Sequence, residues 1–393
     1  MLLALCSGFL LSNAYRTAAA LVAPALQAEL GLSPQQLGLF AGVFHFAFGL
    51  LQLVMGIGID LYGVRRTILW AFPLTIAGAT MTAWAPGYGW LLLGQALVGV
   101  GCAPAFLVCT VFIARRFAPE RFAAISGMAL GIGGMGMLLT GTPLAWVIET
   151  ASWRTGFALL AALSALAWLV MWQWVQEPAP HHTRPGQAAL AQAWRDLVAL
   201  CRLPQTLGIV VLGAVTYAAF ITLRGLWLGP LLIERFGMGL VQAGHVALIM
   251  SLVALFGPAF FGRLDPKAPR RRRWIVRMTW LMALLFALLA YSTVWWLTAV
   301  VAVLSSFLGG YMVLQYADVR QSYPSEQTGR AMAVFTMAMF LGIALMQWCT
   351  GVVANRAQAL GMDIYNAVLL AVSLCLIAGS LAFQWLPQVQ AQD

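Results

Sequence analysis

Of the 393 residues, 62% are apolar and 9% are charged, and the mean hydropathy is +0.86. A soluble domain carries about 25% charged residues, so this composition excludes a soluble fold and implies a polytopic membrane protein. The formal net charge of +10 would suit a nucleic-acid binder only if it were gathered on a polar domain, and no such domain is present.

Apolar runs of about 20 residues mark membrane helices. Twelve are predicted, over 2–24, 35–57, 67–84, 90–113, 123–148, 155–175, 205–232, 241–262, 275–293, 295–316, 331–352 and 364–386. The weakest division lies at Ser292 and Thr293, almost the only polar break between the ninth and tenth. The first run has no basic n-region and is longer than a signal-peptide core, so it is read as a span whose N-terminal tail is either very short or missing from this sequence.

That first run is repeated. Asn13–Gly31 carries Arg16, Pro24 and a polar exit, and Thr222–Gly237 carries Arg224, Pro230 and a similar exit. Pro24, Gly31, Gln36, Gly38 and Gly56 match Pro230, Gly237, Gln242, Gly244 and Gly262, each 206 positions later. Arg115 and Pro119 match Arg320 and Pro324 at 205 positions. Arg224 sits two places off strict register from Arg16. The chain reads as a duplication, with one arginine inside the first span of each half.

Of the 22 Lys and Arg residues, seventeen follow even-numbered spans, three (Arg154, Arg235, Arg356) lie on the opposite side, and Arg16 and Arg224 lie within spans. This bias places both termini and the middle loop in the cytoplasm. The expected division is an N-terminal bundle 1–175, a cytoplasmic linker 176–204 and a C-terminal bundle 205–393. The linker contains Pro178, Pro180, Pro185, the pair His181-His182 and a short surface helix over Gln187–Leu200. His181-His182 reads as a solvated pair and not a metal site, and Arg270–Arg273 as a topology anchor. Six cysteines show no ligand spacing and are read as small packing residues.

Between the second and third spans the chain reads Gly56-Ile-Gly-Ile-Asp60-Leu-Tyr-Gly63-Val-Arg65-Arg66. Gly63 permits a tight turn, and Asp60 near a helix end can pair with a basic residue or a helix N-terminus. This stretch resembles the cytoplasmic loop signature of the major facilitator superfamily, with the arginines one place later than usual. The second half keeps only Gly262-Arg263-Leu264-Asp265. Arg115-Arg116-Phe117-Ala118-Pro119-Glu120 and Trp153-Arg154-x-x-Phe157 add to the resemblance. It implies an all-α fold of two pseudo-symmetric six-helix bundles around a midplane cavity, with alternating access to each side. Gly56, Asp60, Gly63, Arg65 and Arg66 would form a cytoplasmic gate.

Arg16 precedes Pro24 by eight residues, or roughly 12 Å along a helix, which puts it near mid-membrane. An arginine there costs ~2.5–3.5 kcal/mol on insertion scales, and no carboxylate falls at any span's centre. Arg224 has the same problem. Two buried cations without buried anions point to an anionic ligand, held bidentately by guanidinium groups. The alternative is that each arginine binds backbone carbonyls or snorkels. Asn13 shares the Arg16 face and Tyr217 the Arg224 face, so both are candidate binding residues. Tyr15 points elsewhere, and Trp227 can line the cavity or face lipid. His45 in the second span is the candidate proton carrier. The organophosphate and organic-anion branches of the superfamily are similar in placing arginines in these two spans.

The expected function is therefore proton-coupled uptake of a carboxylate or phosphate ester by a monomer in the inner membrane. No enzymatic constellation, cofactor site or nucleic-acid partner is expected. Three competing readings are a soft-metal permease using Met128, Met135, Met137, Met332, Met337, Met339 and Met346, a multidrug exporter, and a transporter-like sensor.

Overall fold

The computed structural model describes residues 1–176, 203–266, 270–323 and 325–386. Helix α1 spans Leu2–Leu30. The next helix, Pro34–Ala83, is continuous but breaks at Gly63, where φ is 83° and ψ is 170°. Its arms are α2 (residues 34–62) and α3 (64–83). Then follow α4 (Tyr88–Arg116), α5 (Ile125–Thr150), α6 (Trp153–Trp174), α7 (Thr206–Arg235), α8 (Leu240–Arg263), α9 (Arg270–Tyr291), α10 (Trp295–Ser322), α11 (Gln327–Ala359) and α12 (Ile364–Trp385). These last nine are, among the described residues, long and apolar enough to cross a bilayer. With α1, α2 and α3 they make the twelve expected crossings of a multi-pass membrane protein. The expected linker lies outside the described residues apart from its ends.

Helices α1, α2, α4, α10 and α11 outrun their apolar runs by a turn or more. The added residues are polar ends that water and headgroups can solvate, so hydropathy locates the crossing but not the helix terminus. Nine exposed tryptophans form two belts. Trp84, Trp90, Trp146, Trp295 and Trp296 lie at one end of the bundle, and Trp70, Trp172, Trp174 and Trp385 at the other. Indole rings favour both membrane–water interfaces. We call these the Gly31 end and the Arg65 end, after the turns they contain.

The duplication is visible in local geometry. Gly31 ends α1 with φ 62°, and its counterpart Gly237 follows α7 with φ 66°. Each is followed by a glutamine that reaches back over the next helix start. The Ser33 N–H donates to Gln36 Oε1 at 2.9 Å, and the Gly239 N–H to Gln242 Oε1 at 3.1 Å. In both halves the end of the first helix is tied to the start of the sixth by an ion pair, with the signs exchanged. Glu29 pairs with Arg154, whereas Arg235 pairs with Asp363.

The halves meet along three helix pairs: α1 on α7, α2 on α11, and α5 on α8. Glycines make this approach possible. A Cβ on Gly42 would lie 2.9 Å from the Ala344 carbonyl, one on Gly225 would lie 2.9 Å from the Arg16 carbonyl, and one on Gly244 would lie 2.7 Å from Ala145 Cβ. These contacts fall between mid-membrane and the Gly31 end. Towards the Arg65 end, Pro119–Gly134, Gly257–Arg263 and Met312–Ser322 pack chiefly within their own halves, and a Cβ built on Gly127, Gly262 or Gly329 would meet nothing within 4 Å. The protein is closed at the Gly31 end and parted at the Arg65 end.

Glu29 lies in the polar last turn of α1, beyond its apolar stretch. The Trp153 indole N–H, 2.6 Å from Oε2, and then Arg154 hold its carboxyl below the usual glutamate range. A depressed carboxylate stabilises the fold above its unfolded value of about 4.3, and that contribution fades as pH falls through the folded value. Glu29→Gln is expected to lower the melting temperature at pH 7, with the gap to the parent protein narrowing below about pH 4, as read by thermal unfolding in nanodiscs.

Candidate functional site

Arg16 sits on the α1 face turned towards the other half. It is 6% exposed, and its guanidinium carbon lies 4.8 Å from the ring centre of Phe48 on α2 and 4.8 Å from that of Phe340 on α11. One wall of this aromatic clamp comes from each half. A cation over a ring face gains about 0.5–2 kcal/mol per ring, which offsets part of the cost of burial. Arg16 Nη1 donates to Asn13 Oδ1 at 3.2 Å, one turn earlier, as the helical spacing predicts. Its Nε is buried without a partner, and no carboxylate among the described residues pairs with it.

Around the clamp lie the other expected residues. Tyr217 meets Phe340 edge-on, with ring centres 6.2 Å apart. His45 packs parallel to the same Phe340 ring at 6.5 Å, and its Nδ1 is 3.2 Å from the Ala41 carbonyl. His45 Nε2 and the Gln347 amide make no hydrogen bond of regular geometry, although the two buried side chains neighbour each other across the halves, close enough to interact. Tyr15 turns away, as expected, to Ser164 on α6 at 3.0 Å. Trp227 takes neither expected position and is buried within its own half, donating to Thr350 Oγ1 at 3.0 Å.

Arg224 is fully buried but in different surroundings. Its Nε donates to the Ala247 carbonyl and to Ser251 Oγ, both at 3.0 Å, on α8. Its Nη2 donates to the Met137 and Thr140 carbonyls on α5, at 3.1 and 3.0 Å. Only Nη1 lacks a partner. In this state its surroundings match the backbone-carbonyl alternative, and the two arginines are not equivalent. The cause is the register. The strict counterpart of Arg16 is Thr222, and two residues turn an α-helix by about 200°, so Arg224 projects to another side of α7. It also lies in a widened π-helical turn, Leu223–Trp227, a distortion frequent at functional sites.

At the Arg65 end, Gly63 adopts the positive φ that its turn requires. Arg65 binds within its own half, with Nε 2.6 Å from the Val175 carbonyl and Nη2 3.2 Å from that of Trp172. Arg66 is exposed. A Cβ on Gly56 would meet only Leu107, at 3.6 Å, so close packing does not require glycine there in this state. The Asp60 side chain lies outside the described residues. The second half has a charged cluster that its reduced motif did not suggest. Arg271 forms a two-point pair with Asp265 and reaches Gln321 Oε1 at 2.7 Å. Arg272 Nε lies 3.0 Å from Asp318 Oδ1 on α10. The basic run is thus partly internal, with Arg271 only 4% exposed.

A twelve-helix duplication closed at one end, with an unneutralised cation between its halves, defines a class of membrane carriers. The family model described as Major Facilitator Superfamily matches residues 4–347. The chain belongs to the Major Facilitator Superfamily. It is 26% identical over 157 residues to a hexuronate transporter of Bacillus subtilis, covering 40% of this chain and 37% of that protein. It is 23% identical over 288 residues to a probable sulfoacetate transporter, SauU, of Cupriavidus necator, covering 68% of this chain and 64% of that protein. It is 32% identical over 147 residues to a facilitated glucose transporter, member 10 of solute carrier family 2, of Mus musculus, covering 35% of this chain and 27% of that protein. The chain thus spans less than two thirds of the length of these relatives. Among solved structures, a bacterial homologue of the human lysosomal transporter Spinster, in an inward-facing and occupied conformation, matches with a TM-score of 0.78 at 17% identity. That match covers 98% of this chain and 95% of the other.

Closure at the Gly31 end rests on glycine, which gives a test. A side chain at Gly38 would overlap the Gln347 carbonyl and come within 3.0 Å of Gly351 Cα. Gly38→Val is expected to speed thiol labelling of a cysteine placed at Ala344, which is 8% exposed, several-fold over the glycine parent in an otherwise cysteine-free background. An unchanged rate would mean that the contact tolerates a side chain.

Proposed function

We propose that this protein is a secondary transporter that carries a small organic anion, a carboxylate with hydroxyl groups, by alternating access. The observation that carries the reading is the buried Arg16 guanidinium, held between one ring from each half with no carboxylate to neutralise it. An anionic ligand supplies the missing charge, and bonds to an ionised donor are the strong ones. Asn13 orients Arg16 from one turn away, and Tyr217 backs the Phe340 wall. The neighbouring polar side chains of His45 and Gln347 suit hydroxyl groups, which both donate and accept. The hexuronate and sulfoacetate relatives are named for anions, in keeping with this site, whereas the glucose transporter relative is named for a neutral sugar.

By the positive-inside bias the Arg65 end faces the cytoplasm, so the described state opens inward, and both termini lie on that side of the inner membrane. The Asp60, Arg65 and Arg66 loop then closes the cytoplasmic side in the opposite state. In the inward-open state Arg65 donates to the Val175 and Trp172 carbonyls of its own half. Uptake driven by protons, with His45 as carrier, completes the reading, and the protein acts as a monomer.

Purified protein in liposomes is expected to accumulate galacturonate and not glucose. Hydrogen bonds to a charged group are worth about 1.5–3 kcal/mol, or roughly 10- to 100-fold, and Arg16→Gln is expected to reduce uptake by that factor. Glucose uptake that survives Arg16→Gln would favour the neutral-sugar reading. An inward proton gradient is expected to raise the rate, and equal uptake without one would remove His45 from the mechanism.

A further inference from the structure

We infer that Arg224 is a positioning residue that latches the Gly31 end shut. It belongs to the second half by sequence, yet its Nη2 donates to two carbonyls of the first half, those of Met137 and Thr140, at 3.1 and 3.0 Å. These two hydrogen bonds, between mid-membrane and the Gly31 end, join the halves through this one side chain. Its other two bonds, to Ala247 and Ser251, stay within the second half. The guanidinium therefore has one nitrogen for each half, and its planar fork fixes the distance between α5 and α8.

The receiving surface is built to match. Thr140 is buried, and its hydroxyl lies 2.5 Å from that of Thr17 on α1, one residue after Arg16. Gly141 lets α5 approach α8 so closely that a Cβ there would lie 2.7 Å from Leu248 Cβ. The α5 helix is interrupted there, with breaks at Met135 and at Thr140–Gly141, so these carbonyls can accept from side chains, and the Met137 carbonyl also accepts from the Thr140 hydroxyl at 3.2 Å. A regular helix would spend those carbonyls on its own N–H groups. On α7, the π-helical turn at Leu223–Trp227 places Arg224 at this junction.

When the halves part at the Gly31 end, as alternating access demands, Met137 and Thr140 leave with α5. Arg224 then keeps two of its four acceptors, and Nη1 and Nη2 turn to whatever enters the opening. The latch holds the empty carrier shut at that end. Once released, the same guanidinium is free to meet an arriving anion. The two arginines thus act in sequence, with Arg16 short of partners in the described state and Arg224 in the other.

This rests on the alternating-access reading above, but its test needs no substrate. Spin labels are placed at Glu149 and Leu360, exposed positions on opposite halves at the Gly31 end, in an otherwise cysteine-free protein in nanodiscs. Their separation is then read by pulsed dipolar spectroscopy. The parent is expected to show mainly the short separation, and Arg224→Gln a several-fold gain in the long one. Arg224→Lys, which keeps the charge but cannot reach both helices, is expected to gain nearly as much and guards against a variant that fails to fold. Ser251→Ala, which removes an acceptor within one half, is expected to match the parent. Distance distributions for Arg224→Gln and Arg224→Lys identical to the parent would overturn the latch. A shift with Arg224→Gln combined with anion uptake that survives Arg16→Gln would keep the latch and discard the anion site.

Discussion

The rest of this structure is arranged around a positive charge that the protein does not neutralise. Arg16 lies mid-helix in a segment that must cross hydrocarbon, where an arginine costs ~2.5–3.5 kcal/mol even on the mildest scales. The protein reduces that cost with two aromatic faces and one amide oxygen but leaves the charge itself uncompensated. A guanidinium can instead be satisfied by carbonyls and a hydroxyl, as Arg224 is in the described state of the same molecule. Because the clamp takes Phe48 from one half and Phe340 from the other, the surroundings of the charge depend on how the halves are set. That dependence lets ligand binding and conformational switching share one free energy.

Much of the fold was legible in the sequence. Hydropathy placed all twelve crossings, and the 206-residue offset located equivalent features that later proved to have the same geometry, such as the left-handed caps at Gly31 and Gly237 and the glutamines that follow them. These features are local, so residue type and spacing determine them. The pairing of Arg16 with Asn13 was also readable, since three residues on a helix bring side chains together.

What could not be read was long-range or made by the backbone. Nothing in the apolar runs singles out Phe48 and Phe340 from the other phenylalanines, because their role comes from packing between segments nearly three hundred residues apart. The acceptors of Arg224 are mostly carbonyls, which every residue carries. Their availability depends on interruptions in α5 that glycine content only hints at. The two-place slip between Arg16 and Arg224 was visible as a number. Its consequence, a side chain turned to another side of α7, follows only once the helix is taken as a rotating frame. The Asp318–Arg272 and Asp265–Arg271 pairs were likewise hidden within a basic run that reads as a simple anchor.

The central claim is that Arg16 recognises a carboxylate, and it is tested most directly by comparing two ligands that differ only in that group. A ligand that binds only the folded protein raises its apparent stability. Thermal unfolding of the protein in nanodiscs is predicted to shift upward with galacturonate and not with galactose, and the shift is predicted to disappear in Arg16→Gln. Equal shifts with the acid and the neutral sugar, or a galacturonate shift that persists in Arg16→Gln, would contradict the account.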